Sequence, residues 1–213
     1  HSTGDVTAQT EVSDLHGGGL VGFNSGMITS CYSTGNVFAA ETSSEHYSVY
    51  TGGLVGKNFY GDIINCYSAG NITATAKGLA CAGGLSGENY TGNIANCHAW
   101  GNVTAQSSEK AAYAGGLVGR NYITNKEIFK DCYATGNVEA TTSDIARAGG
   151  LVGFHIDGEI LNCYAVGNVK AESTSKNAYA GGLVGGNSKL IKNCFAVGNV
   201  EARSNSQPFA GGL

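Results

Sequence analysis

The sequence predicts an all-β fold, a β-solenoid of about six repeats of 30–34 residues with three short strands in each. Gly-Gly-Leu recurs seven times at intervals of 30–34 residues, a spacing typical of stacked repeat architectures. Short segments rich in Val, Ile and aromatic residues alternate with turn-forming residues, and no apolar pattern of helical period occurs. Asparagine recurs at fixed places in the repeat, and stacked strands can join such residues into ladders.

The composition excludes several classes of protein. The chain has 213 residues, of which 34 are glycine and only 13% are charged, and its net charge is −4. Twelve Lys and Arg against 16 acidic residues do not form a basic nucleic-acid surface, so we expect no nucleic-acid partner. No apolar run approaches the roughly 20 residues of a membrane span, so we expect no span in this fragment.

Each repeat offers three strand candidates. The first strand candidate contains Gly-Gly-Leu, as at residues 114–119; the second surrounds the cysteine, as at residues 94–99; and the last is Asn-Val-x-Ala, as at residues 102–105. A glycine always precedes the Asn-Val of the last strand, which suits a corner that needs a positive φ or a close backbone approach. We expect a right-handed coil, because parallel crossovers nearly always have that hand. The alternative is a six-bladed propeller, whose blades usually have four strands and about 40–45 residues.

Three rows of asparagine are candidate ladders, because like residues sit above like in a parallel stack. The row before the cysteine includes Ser30 and Asp131 as substitutes, and His155 is expected to break the row after the Gly-Leu motif. The row after the Gly-Leu motif is Asn24, Asn58, Asn89, Asn121 and Asn187; the row before the cysteine is Asn65, Asn96, Asn162 and Asn193; the row after the corner glycine is Asn36, Asn71, Asn102, Asn137, Asn168 and Asn199.

Six of the seven cysteines share one repeat position, four residues before the corner glycine. Strand alternation favours an arrangement in which Cys and Ala face inward and the aromatic ring between them faces outward, provided that the residue before the cysteine forms a turn or bulge. Without that bulge the rings point in and the cysteines out. A row of parallel side chains suits neither disulfides nor tetrahedral zinc, so we expect free thiols and no metal. Cys81 stands apart from the row and is expected to be more exposed.

Both ends of the chain cut through a repeat. Gly4 to Ala8 is the tail of an earlier repeat, and Gly211 to Leu213 is the head of a next one. We therefore expect residues 1–213 to be a single repeat array within a longer protein, with the other domains of that protein as partners. Uncapped coil ends also make end-to-end self-association an expectation.

The repeats resemble a known family. Gly-Leu-Val-Gly at residues 19–22, 53–56, 116–119, 150–153 and 182–185 is similar to the GLUG motif, and residues 84–87 depart from it only at Ser86. The resemblance covers nearly the whole chain. It implies a bacterial extracellular or cell-surface protein, as in adhesin-like proteins and the non-catalytic repeat regions of IgA-specific zinc metallopeptidases. It carries no catalytic residue onto this chain.

A search for catalytic chemistry in the sequence gives no candidate. The zinc-binding His-Glu-x-x-His motif is absent, and the five histidines fall at unrelated repeat positions. The acidic residues do not share a repeat position that would pair carboxylates for glycoside cleavage. We therefore expect a protein that is not an enzyme, with no catalytic residue, no metal and no cofactor.

The candidate binding surface is the row of rings that follow the cysteines. Its structural interpretation is a stack that covers apolar surface, and its functional interpretation is an aromatic stripe that binds host glycan or protein. Two function classes result: a stalk, spacer or adhesin-like region of a larger extracellular surface protein, and a glycan- or host-protein-binding module. The stripe consists of Tyr32, Tyr67, His98, Tyr133, Tyr164 and Phe195, with Trp100 beside it.

Overall fold

The computed structural model describes residues 1–122 and 128–212, and these residues form stacked parallel strands without a helix. Each strand pairs with its equivalents in the neighbouring coils. The predicted β-solenoid is confirmed. No described residue belongs to a helix long and apolar enough to cross a membrane. The insertion predicted at residues 123–127 lies outside the described residues.

The described strands form five parallel sheets, which we name by a characteristic residue. The glycine sheet contains β2 (Leu15–Gly18), β7 (Val49–Gly52), β12 (Ala80–Gly83), β17 (Ala112–Gly115), β22 (Ala146–Gly149), β27 (Ala178–Gly181) and β31 (Pro208–Gly211). The asparagine sheet contains β3 (Val21–Asn24), β8 (Val55–Phe59), β13 (Ser86–Tyr90), β18 (Val118–Tyr122) and β23 (Val152–Asp157). The isoleucine sheet contains β4 (Ile28–Thr29), β9 (Ile63–Ile64), β14 (Ile94–Ala95), β19 (Ile128–Lys130), β24 (Glu159–Leu161) and β28 (Ile191–Lys192).

The remaining two sheets complete each coil. The aromatic sheet contains β5 (Tyr32–Ser33), β10 (Tyr67–Ser68), β15 (His98–Ala99), β20 (Tyr133–Ala134), β25 (Tyr164–Val166) and β29 (Phe195–Val197). The valine sheet contains β1 (Val6–Thr10), β6 (Val37–Glu41), β11 (Ile72–Ala76), β16 (Val103–Ser107), β21 (Val138–Thr142), β26 (Val169–Ser173) and β30 (Val200–Ser204).

The coil differs from the sequence prediction in its number of strands, which is five rather than three. The strand predicted at residues 114–119 divides at Gly116 and Leu117 between β17 and β18. The strand predicted at residues 94–99 divides at Asn96 between β14 and β15. The backbone bends at Gly116 and Leu117. It also turns at Asn96, which has a φ of 53°.

The residue before each ladder cysteine adopts a left-handed conformation, which forms the turn on which the prediction of inward cysteines depended. Asparagine adopts this conformation more readily than most residues. The turn reverses the strand alternation, so Ile94 and Cys97 both face the interior and His98 faces outward. The alternative with inward rings is therefore excluded. The left-handed residues, with φ of 53–56°, are Ser30, Asn65, Asn96, Asp131, Asn162 and Asn193.

Two apolar layers fill the described coils. One contains the leucine of each Gly-Gly-Leu, the isoleucines and the ladder cysteines, for example Leu85, Ile94 and Cys97. The other lies between the valine and glycine sheets and consists almost entirely of Val and Ala, for example Val103 and Ala112. Because the second layer is built from small side chains, these two sheets pack closely.

The corner glycines are required by close backbone approach as well as by φ. A Cβ atom on Gly101 would lie 1.9 Å from the carbonyl oxygen of Gly70 in the preceding coil. Gly167 and Gly198 also have positive φ, of 147° and 139°. Both reasons given in the sequence analysis therefore apply: close backbone approach at Gly101, and positive φ at Gly167 and Gly198.

The asparagine row on the asparagine sheet is a buried ladder of side-chain hydrogen bonds. The Nδ2 atom of Asn24 donates to Oδ1 of Asn58 over 2.6 Å, and Asn58 donates to Asn89 over 2.7 Å. Asn89 donates in turn to Asn121 over 2.9 Å. The prediction that His155 breaks this row is wrong, because its buried ring continues the ladder by accepting a hydrogen bond from Asn121.

The other two rows are exposed and use different bonds. At the corner glycines, the side-chain Oδ1 of each asparagine accepts the backbone N–H of the next, as from Asn102 to Asn71 over 3.0 Å. The row begins with Asp5, whose carboxylate accepts the N–H of Asn36. In the row before the cysteines, Asn162 donates to Asp131 over 3.0 Å. The exposed rows thus satisfy polar groups at corners, where strand pairing stops.

Candidate functional site

The rings that follow the ladder cysteines form one continuous column along the aromatic sheet. Each ring opens a short strand, and the parallel register places it directly above its equivalent, as in the pairing of His98 with Tyr133. The neighbouring Cys97 and Ala99 are buried, so alternation along the strand turns the His98 ring outward. The structure therefore brings together all six residues of the predicted row.

The rings in this column stack face to face. Tyr133 and Tyr164 have centroids 4.8 Å apart and planes inclined by 2°. The largest centroid separation in the predicted row is 5.3 Å, between Tyr67 and His98. His1 extends the column and stacks on Tyr32 at 4.8 Å. Sequence analysis missed His1, because it lies outside the cysteine repeat.

This packing determines which part of each ring faces solvent. Since each internal ring is covered on both faces by its neighbours, its edge is the part left for a partner. Phe195 ends the described column and is 54% exposed. Trp100 lies across the column, tilted by 56° against His98 at a centroid distance of 4.6 Å, and is 42% exposed. The column therefore offers ring edges to a partner, and the exposed indole of Trp100 lies beside them.

The histidine within the column, His98, is uncharged near pH 7. Desolvation by burial lowers the pKa of His98, which keeps its imidazole uncharged between Tyr67 and Tyr133. A neutral imidazole stacks on its neighbours as the tyrosine rings do. The substitution of His for Tyr in the third coil therefore preserves the surface.

A second aromatic cluster was not found from the sequence. Tyr90 stacks on Phe59 at 5.1 Å and on Tyr122 at 5.0 Å. Tyr60 packs edge-on against Phe59 at 4.4 Å. The signal was available, because these stacked rings directly follow the buried asparagine ladder in three successive repeats.

The glycine and asparagine sheets enclose a buried charge. Glu88 is 1% exposed and lies 3.1 Å from Nζ of Lys57 and 3.3 Å from Nε of Arg120. These three residues occupy equivalent places in successive coils. Two cations around one buried carboxylate offset part of the cost of removing it from water.

Cys81 belongs to the same enclosed region. It pairs in register with Tyr50 and Tyr113 and is fully buried. The expectation that Cys81 is more exposed is therefore wrong, because its coil position faces the interior between two sheets. Burial raises the pKa of its thiol. Among the described residues, no three His, Cys, Asp or Glu side chains converge as a metal site.

A comparison with protein families identifies the repeat. The family model of the GLUG motif matches residues 13–37, 47–73, 78–104, 110–139, 146–170 and 176–201. The chain belongs to the GLUG family. Each matched segment of this GLUG chain includes a Gly-Gly-Leu corner and a cysteine-ring pair, so one motif corresponds to most of one coil. No match was found among curated proteins or among solved structures.

Proposed function

We propose that this GLUG chain is a non-catalytic module that acts as a stalk, spacer or adhesin-like region of a larger extracellular bacterial surface protein. The observation that carries the proposal is the unbroken register of the glycine and valine sheets. Equivalent residues such as Ala112, Ala146 and Ala178 pair from coil to coil. Added coils therefore extend the module along one axis.

The dimensions support a spacer. Neighbouring rings in the predicted row are 4.8–5.3 Å apart, close to the roughly 4.8 Å spacing of neighbouring strands in a sheet. The seven strands of the glycine sheet are separated by six intervals, which together span about 30 Å. Five of the seven thiols are buried, which suits an oxidising medium because oxidation follows thiol accessibility.

The proposal is tested on intact bacteria that express the full-length protein. Antibodies against this module should label intact cells, and added proteinase K should remove the label. Protection of the module until the cells are lysed would contradict an extracellular location. An in-frame deletion of residues 146–177 removes one coil in register, since Ala146 pairs with Ala178. A spacer should tolerate the deletion and shorten by about 5 Å.

A second candidate function is recognition of a host glycan or protein through the aromatic stripe. The exposed Trp100 beside the column favours it, since aromatic side chains with an apolar body and a polar tip are enriched at interfaces. Trp100→Ala should weaken binding on a glycan array or to immobilised mucin. Val166→Ala is the matched control, because Val166 is exposed at the same repeat position. Equal binding by both variants would remove Trp100 from this function.

A further inference from the structure

A shallow groove of about 480 Å³ follows the exposed corner between the aromatic and valine sheets over four coils. Its volume falls within the range of about 300–1,000 Å³ that small-molecule sites occupy. The corner asparagines in its lining are Asn102, Asn137, Asn168 and Asn199.

The asparagines present a row of hydrogen-bond donors. Oδ1 of Asn102 accepts the backbone N–H of Asn137 over 2.9 Å, and Oδ1 of Asn137 accepts that of Asn168 over 2.9 Å. These bonds fix the side chains and use one of the two lone pairs of each Oδ1. Among the described hydrogen bonds, none uses Nδ2 of these three residues, so each amide keeps two N–H donors toward solvent.

The charged residues of the groove argue against an anionic ligand. Lys170 is held by Glu139 and Glu172, each 2.9 Å from its Nζ atom. Glu139 and Glu201 both line the groove and would repel an anion. Their carboxylates, together with the Thr104 hydroxyl, can instead accept hydrogen bonds from neutral hydroxyl groups.

A wholly apolar partner does not fit either. The valines beneath the groove, Val103, Val138 and Val169, are no more than 2% exposed. Polar and apolar atoms contribute about equally to the accessible lining, so apolar patches lie between the polar groups. Neutral donors, hydroxyl or carboxylate acceptors and intervening apolar patches match a sugar chain, in which hydroxyl groups alternate with C–H surface.

The donors also repeat along a line. They belong to successive coils, and rings in those coils stack 4.8–5.0 Å apart. A polymer of similar units that runs along the solenoid axis would meet one amide at each step. We infer that this groove binds a neutral polysaccharide segment along the row of corner asparagines, which extends the function beyond that of a spacer.

The test is titration calorimetry of the whole chain with defined oligosaccharides. The probes are cellohexaose, fully N-acetylated chitohexaose and mannohexaose, all neutral, with a polygalacturonate hexamer as the charged comparison. At least one neutral hexamer should bind with a Kd below about 1 mM. Failure of all three neutral probes, or binding of the charged hexamer alone, would overturn the inference.

Matched variants locate the site. Asn137→Asp replaces two donors by an acceptor and keeps the corner bond, as Asp5 does at the start of the row. It should weaken binding about three- to tenfold, the effect of losing one or two hydrogen bonds. Asn71→Asp makes the same change in the same row, outside the groove lining, and should leave binding unchanged. Equal effects of the two variants would show that binding occurs elsewhere. Neither result depends on where the protein is located in the cell.

Discussion

Asn121 donates a hydrogen bond from its Nδ2 atom to Nδ1 of His155, over 3.0 Å and across one coil of the solenoid. The Nε2 atom of the same imidazole lies 3.3 Å from the carbonyl oxygen of Gly158. Since the amide nitrogen can only donate, Nδ1 is the acceptor and Nε2 carries the proton. A neutral histidine thus takes the place of an asparagine in the buried ladder.

This relationship predicts a loss of stability in acid. Burial lowers the pKa of His155 below its ordinary value of 6.5, so the unfolded chain takes up the proton more readily than the folded chain. The free energy of unfolding should therefore fall as the pH drops below about 6.5. Protonation of Nδ1 would also place its N–H opposite the Nδ2 donor of Asn121, and the loss of this buried hydrogen bond costs about 1–3 kcal/mol.

The control for this effect is His155→Asn, which restores the residue found elsewhere in the row. Thermal unfolding should show that the melting temperature falls less between pH 7 and pH 5 in the variant than in the wild type. Burial also lowers the pKa values of His16 and His98, so some acid sensitivity should persist in the variant. An identical pH dependence of the two proteins would contradict the role of His155.

The buried ladder should be more sensitive to mutation than the exposed one. Asn89→Ala removes the acceptor for Asn58 and the donor for Asn121, both inside the protein. Each buried polar group that loses its hydrogen-bond partner costs about 1–3 kcal/mol, so we expect the free energy of unfolding to fall by about 3 kcal/mol. Asn71→Ala, in the exposed row, should cost about 1 kcal/mol or less, because water replaces its bond. Urea unfolding followed by circular dichroism measures both.

The buried carboxylate should dominate the charged pairs. Glu88→Gln leaves Lys57 and Arg120 without their counter-charge and should lower the free energy of unfolding by about 3 kcal/mol. Glu201→Gln breaks the exposed ion pair with Arg203 and should cost less than about 1 kcal/mol. Chemical denaturation of the two variants compares them directly. If Glu88→Gln lowers the free energy of unfolding only slightly, solvent reaches Glu88, Lys57 and Arg120, and the prediction is wrong.

The seven thiols should be free and mostly unreactive. All seven are unpaired in the structure, and only Cys31 and Cys194 of the ladder are partly exposed. Titration of the native protein with an aromatic disulfide reagent should modify at most two thiols quickly. Denaturant without reductant should expose all seven. A lower number after denaturation would reveal disulfides and contradict the structure.

Substitution of the turn residue tests why the cysteines face inward. Asn96 has a φ of 53°, which glycine adopts without strain and a β-branched residue does not. Asn96→Val should lower the free energy of unfolding by about 1–2 kcal/mol, whereas Asn96→Gly should change it little. Equal stability of the two variants would show that the left-handed turn is not strained.

Much of the architecture could be predicted because each position recurs in every coil. The Gly-Gly-Leu spacing predicted the stack, and strand alternation favoured inward cysteines on the condition of a turn before each of them, which Asn96 forms. The strand count could not be predicted in the same way. Gly116 and Leu117 resemble strand interior in sequence, and only the tight packing of the glycine and asparagine sheets shows a corner there.

The sequence by itself determined the repeat length, the parallel stacking, the asparagine rows and the low content of charged residues, since these depend on periodicity and composition. Only the tertiary structure decided the roles of single residues that depart from the repeat. His155 continues a ladder it was expected to break, and Cys81 is buried where exposure was expected. The physical reason is that a side chain's surroundings in a solenoid come from neighbouring coils about 30 residues away, which local sequence does not specify.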